Sequence, residues 1–103
     1  MVKQVYSFDF KKEIENGTTV VNFYSNLGSP SKLVTPVFNE VKDEINNRVK
    51  FLKVNVDENR DLVKKYDIPS IQSIMIFKNG KEVSKLNGFL QKDILKKNIE
   101  DNL

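Results

Sequence analysis

Apolar positions along this chain follow two rhythms, one of period two and one of helical period, and the rhythm changes at each turn signal. Val2 to Tyr6 reads as a short strand, and Ser7 is placed to cap a helix that carries Phe8, Phe10 and Ile14 inward before Asn16-Gly17 stops it. Thr18 to Tyr24 is β-branched and aromatic, the composition of a buried central strand. Ser29 as N-cap and Pro30 at the first helical position then open a long helix, in which Leu33, Val34, Val37, Phe38, Val41 and Ile45 recur at helical spacing. Pro36 falls inside it, removes one backbone donor, and is expected to kink the axis.

Val49 to Val56 reads as a third strand, and Asn59 is placed to cap a short helix bearing Leu62, Val63 and Tyr66. Ile71 to Phe77 is a fourth strand. Asn79-Gly80 turns it back through a type I′ hairpin, because both central residues of that turn need positive φ, so Lys81 to Leu86 should run antiparallel. A last helix starts near Gln91 and carries Ile94, Leu95 and Ile99 on its inner face. The order βαβαβαββα predicts an α/β domain over residues 1–103. Right-handed crossovers join parallel strands in its first half, a hairpin closes its second, and helices cover both faces of a mixed five-stranded sheet.

Composition narrows the chemistry more than the fold. A chain of 103 residues forms one domain and hides roughly 60 to 68% of the surface that its unfolded state exposes, enough for a core without staples. It contains neither Cys nor His, which excludes thiol chemistry, a cysteine- or histidine-ligated zinc site and histidine acid/base catalysis. Carboxylates, Lys, Tyr, Ser and Thr are what remain, and neither metal nor cofactor is expected. The net charge of +3 comes from lysines and acids interspersed along the chain, without the cluster that tracks phosphates, so no nucleic-acid partner is expected. The first residues lack an apolar signal-peptide core and no apolar run is long enough for a bilayer. These features predict a cytoplasmic location without a membrane partner, and a monomer is the default expectation.

One segment carries more information than the rest. Phe23-Tyr24-Ser25-Asn26-Leu27-Gly28-Ser29-Pro30-Ser31-Lys32 resembles the active-site segment of the thioredoxin family, Phe-Trp-Ala-x-Trp-Cys-Gly-Pro-Cys-Lys. The likeness runs in register from about Phe8 to Leu103. Pro36, the run Phe51-Leu52-Lys53-Val54-Asn55-Val56-Asp57, the turn Phe77-Lys78-Asn79-Gly80 and Gly88 all fall where the family has its counterparts. The resemblance implies the thioredoxin fold. By itself it would also imply dithiol–disulfide exchange.

Five departures fall where the family does that chemistry: Gly28 and Ser31 stand at the two cysteine positions, Leu27 at the preceding tryptophan, Asn22 at the buried aspartate and Gln72 at the cis-proline. Glycine has no nucleophile, and a serine hydroxyl is barely ionised near neutral pH and forms no S–S bond. An engineered cysteine-to-serine change would account for Ser31 alone, so natural divergence is the better account of the set. The placement of Gln72 follows from counting, since the family's cis-proline lies five residues before the phenylalanine matched by Phe77, whereas Pro69 lies eight before it and reads as an ordinary trans proline. A cis bond before a non-proline residue costs about 2.5–4 kcal/mol, so the Ile71–Gln72 peptide is expected to be trans and its loop reshaped.

Strand alternation puts Lys53 on one face with Phe51 and Asn55, where the family pairs a lysine with the missing aspartate. With a neutral Asn22 opposite, the lysine stem should run out to water, and Asn22 should be a hydrogen-bonded buried amide. The favoured function is therefore a redox-inactive protein-binding or scaffolding module, using the former substrate groove of Leu27, Gly28, Ser29, Pro30, Ile71, Gln72 and Phe89. Leu27 and Phe89 are its apolar residues on loops, although Phe89 could equally pack under the last helix. The alternative is a degenerate family member that keeps a non-dithiol activity, such as glutathione or anion binding through Ser29, Ser31 and Lys32 at a helix start.

Overall fold

A computed structural model describes residues 2–26, 30–45, 48–69, 72–88 and 91–103, and for residues 30–34 the helical backbone alone. The elements are β1 (Lys3–Gln4), α1 (Ser7–Glu13), β2 (Thr18–Tyr24), α2 (Pro30–Ile45), β3 (Val49–Asn55), α3 (Arg60–Lys65), β4 (Ser73–Lys78), β5 (Lys81–Asn87) and α4 (Lys92–Glu100). Their order is the predicted one. The sheet runs β1-β3-β2-β4-β5, with β1, β3 and β2 parallel and both β4 and β5 entering antiparallel to their neighbours.

Alternation along the central strands divides the interior into two cores. Val20, Phe51, Ile74 and Ile76 face α2 and α4, where Phe38, Val41, Ile45, Leu95 and Ile99 meet them. Phe38 stands edge-on to Phe51, with ring centroids 5.4 Å apart. Val21, Phe23, Leu52, Val54, Met75 and Phe77 point the other way, onto Phe10 and Ile14 near α1 and Leu62 of α3. There Phe10 and Tyr66 each stand edge-on to Phe77 at 5.6 and 5.3 Å, an arrangement favoured by the ring quadrupoles, and are tilted to one another at 5.6 Å. Burial raises the pKa of the Tyr66 phenol, with Glu82 adding to the shift. On the opposite face α2 and α4 are clasped by Glu44, which pairs with both Lys92 and Lys96.

The turns follow their local chemistry. Asn79 (φ 51) and Gly80 (φ 86) form the type I′ hairpin that the dipeptide predicts. The Asn79 side chain also accepts a hydrogen bond from Gly17 N–H at 2.8 Å, which fastens the hairpin to the start of β2. After α3, Ile68 N–H reaches Val63 O and Asp67 N–H reaches Lys64 O, a Schellman arrangement with Asp67 (φ 53) in the left-handed position usually given to glycine. Lys85 Nζ covers the adjoining carbonyls of Tyr66 and Asp67.

Several expectations need correction. Phe8 is 88% exposed, stacked on Tyr6 at 6.0 Å, because a helix of seven residues turns only a narrow stripe inward and Phe10 occupies it. Ile94 is 48% exposed for the same reason on α4, where Leu95 and Ile99 take the inner positions. Tyr6, not Ser7, is the N-cap residue of α1, with Asp9 accepting a hydrogen bond from Tyr6 N–H. Asn59 sits at the N-cap of α3 but does not cap it with its side chain, which instead donates to Asn55 O and accepts from Ser7 N–H. The first strand is shorter than Val2 to Tyr6, and the third ends at Asn55.

Candidate functional site

β2 and β3 run parallel and deliver Asn22 and Lys53 as register partners on the α2 side of the sheet, and Ile74 of β4 flanks Asn22 on its other side. The same parity carries across to Gln72, just before β4. Its side-chain Nε2 donates to Oδ1 of Asn22, both residues being buried. Gln72 Oε1 is buried without a hydrogen-bond partner among the described residues, while its backbone carbonyl accepts from Gly88 N–H at 2.8 Å. Ser73 Oγ donates to Asn87 Oδ1 at 2.6 Å, so the approach to β4 is tied to the end of β5 twice.

Asn22 is thus the buried, hydrogen-bonded amide that its sequence position predicts, at 4% exposure. Lys53, read from sequence with the buried polar groups, is half-buried. Its side chain and Asn22 line a pocket of about 590 Å³ together with Val2, Tyr24, Ser25, Asn26, Thr35, Pro36, Phe38 and Asn39. Helix α2 continues through Pro36, which forms part of this wall. Tyr24 is anchored by its hydroxyl to Gln4 Oε1 at 2.9 Å, and Ser25 Oγ donates to Asp57 at 2.7 Å. Sequence reading did not anticipate the pocket. Its available signal was parity, since Asn22 and Tyr24 lie two apart on β2 and share the face of Lys53.

Of the residues assigned to the former substrate groove, Gln72 alone is fully described, and at 6% exposure its amide turns inward to Asn22 rather than outward. Pro30 and Ser31 belong to the first turn of α2. Leu27, Gly28, Ser29, Ile71 and Phe89 lie outside the described residues, and so does the Ile71–Gln72 peptide. The Ile68–Pro69 peptide is trans, as expected, there being no cis bond among the described residues. These residues also contain no cluster of His, Cys, Asp and Glu able to hold a metal ion, and no helix long and apolar enough to cross a membrane.

A mixed sheet in this strand order, two helices on each face, and a strand-to-helix junction without sulfur define a thioredoxin-fold domain with its dithiol removed. The thioredoxin family model matches residues 1–101, and the chain belongs to that family. It is 37% identical over 97 residues to the thioredoxin of Rickettsia felis, covering 92% of each chain, and 32% identical over 102 residues to that of Staphylococcus epidermidis, covering 99% of this chain and 98% of the other. A solved structure of Plasmodium falciparum thioredoxin superposes with a TM-score of 0.88 at 30% identity, covering 99% of this chain and all of that one. The Malassezia sympodialis thioredoxin gives 0.87 at 27% identity, covering 99% and 90%.

Proposed function

We propose that this domain is a redox-inactive binding module that contacts protein partners through the rim where its relatives hold their dithiol. The carrying observation is a paired one: the chain has no sulfur on which a mixed disulfide could form, yet the fold around the lost site is kept whole. The positions of the family's aspartate and cis-proline are occupied by two amides joined by one buried hydrogen bond. A hydrogen-bonded pair of neutral amides serves as a floor beneath a surface that needs shape and no proton transfer. In this reading the contact surface draws on Leu27, Gly28, Ser29, Pro30, Ile71, Gln72 and Phe89. Thioredoxins are typically cytoplasmic, and we place the module in that compartment.

Affinity capture from the source cell tests this, with the wild-type domain beside a Leu27→Asp, Phe89→Asp variant of equal urea midpoint. A partner retained by wild type and lost with the variant supports the module; identical sets of captured proteins refute use of the rim. In a reductant-driven insulin precipitation assay the pure domain is expected to give the no-protein rate.

A further inference from the structure

Between α2 and the ends of β2 and β3 lies the pocket described above, and its described lining has one sign of charge. Among the described residues of its wall Lys53 is the one that is ionised; the other polar groups, Asn22 and Asn39 among them, are neutral, and none is a carboxylate. The Lys53 ammonium makes no ion pair or hydrogen bond among the described residues. Asp57, the acid closest in sequence to this end of β3, accepts a hydrogen bond from Ser25 instead. Beside Lys53 in register, Asn22 commits its Oδ1 to Gln72, which leaves its Nδ2 as a donor without a protein acceptor among the described residues. Two donors, one of them cationic, therefore stand side by side on neighbouring strands. Val2, Pro36 and Phe38 complete the pocket with apolar surface.

We propose that this pocket binds a small organic carboxylate. Its two oxygens match the two donors, Lys53 Nζ and Asn22 Nδ2, and charge-assisted hydrogen bonds of this kind are about twice as strong as neutral ones. A half-buried cation without a counter-ion gains further as the anion displaces water from around it. The apolar body of the ligand lies against Val2, Pro36 and Phe38. At about 590 Å³ the space falls within the range of small-molecule sites. Inorganic phosphate suits it less, because a dianion brings more acceptor oxygens than the donors can satisfy and sets the excess against an apolar wall. None of the described residues on its wall is among those assigned to the proposed partner-binding rim.

The test is an NMR titration of the full chain, following backbone amides, with hexanoate, hexanamide and inorganic phosphate as probes. Hexanoate is expected to shift Asn22, Phe38 and Lys53 saturably, with hexanamide and phosphate weaker by about tenfold or more, the scale of one charge-assisted hydrogen bond. Lys53→Met, checked for folding by its urea midpoint, should weaken hexanoate by a similar factor, with Lys53→Gln as substitute if the methionine variant does not fold. Absence of saturable shifts, equal binding of hexanamide or phosphate, or unchanged hexanoate binding in the folded variant would each overturn the proposal. The comparison between hexanoate and hexanamide on wild type decides without any variant.

Discussion

Gln72 donates a hydrogen bond to Asn22 from fifty residues away in sequence, joining the two positions at which relatives carry a cis-proline and a buried aspartate. The two departures are therefore one change. Removal of one partner leaves the other without this buried hydrogen bond, at a desolvation cost of about 1–3 kcal/mol. We predict that Gln72→Met and Asn22→Leu each destabilise by an amount in that range, while the double variant costs clearly less than their sum. Urea unfolding of the four proteins measures the coupling; strict additivity would mean that the bond contributes nothing.

The same pair limits what restoring the thiols can achieve. Gly28→Cys with Ser31→Cys supplies the sulfur for a mixed disulfide, but the carboxylate beneath it and the proline opposite remain replaced by amides. Weak insulin reduction is expected, well below that of a typical thioredoxin. Adding Asn22→Asp and Gln72→Pro to the cysteine pair should raise the rate further. Full activity from the two cysteines alone would show that the amide floor is no obstacle.

Two phenylalanines on one short helix should behave very differently. Phe10 is 1% exposed within a cluster of aromatic rings, and Phe10→Ala is expected to cost about 3–5 kcal/mol. Phe8 is 88% exposed, and Phe8→Ala should stay within about 0.5 kcal/mol of wild type. Thermal or urea denaturation of the two variants checks both. A large loss at Phe8 would mean that its stack on Tyr6 carries more than surface aromatics ordinarily do.

These two residues also mark what a sequence can reveal. Strand β2, the Asn79-Gly80 hairpin and the element order were legible because each rests on chemistry within a few residues: β-branching, positive φ and alternation. The inward phase of α1 was not, since Phe8 and Phe10 both suit a helix and only docking onto Phe77 decides between them. For the candidate site, Asn22 was legible as a buried amide from its place at the buried aspartate that the resemblance implies. Its partner Gln72 and the pocket over Lys53 depend on how β4 and α2 come to rest on the sheet, which no local pattern encodes.

Acid should remove one small contribution to stability. The hydrogen bond from Lys3 Nζ, at 2.7 Å, holds the Glu13 carboxyl below its ordinary pKa against some burial, and the Lys3 and Lys50 charges add to the effect. A carboxyl whose pKa is depressed on folding stabilises the folded state above its unfolded value of about 4.3, and that stabilisation is lost as pH falls through the lower folded value. Because Lys3 remains 58% exposed, the effect is small. Glu13→Gln should cost under about 1 kcal/mol at pH 7, with the difference from wild type shrinking toward about pH 3. Urea midpoints across that range measure it, and a difference independent of pH would assign the loss to packing.

Val20 and Val21 are neighbours in the chain, both fully buried, and belong to different interiors, because the sheet stands between them as a wall. A misfit created on one side can be repaired by a substitution on that side and by almost nothing on the other. The two halves can therefore be repacked independently, and the half beneath α2, which holds Asn22, can change its polar content while the aromatic half around Phe10 keeps its packing.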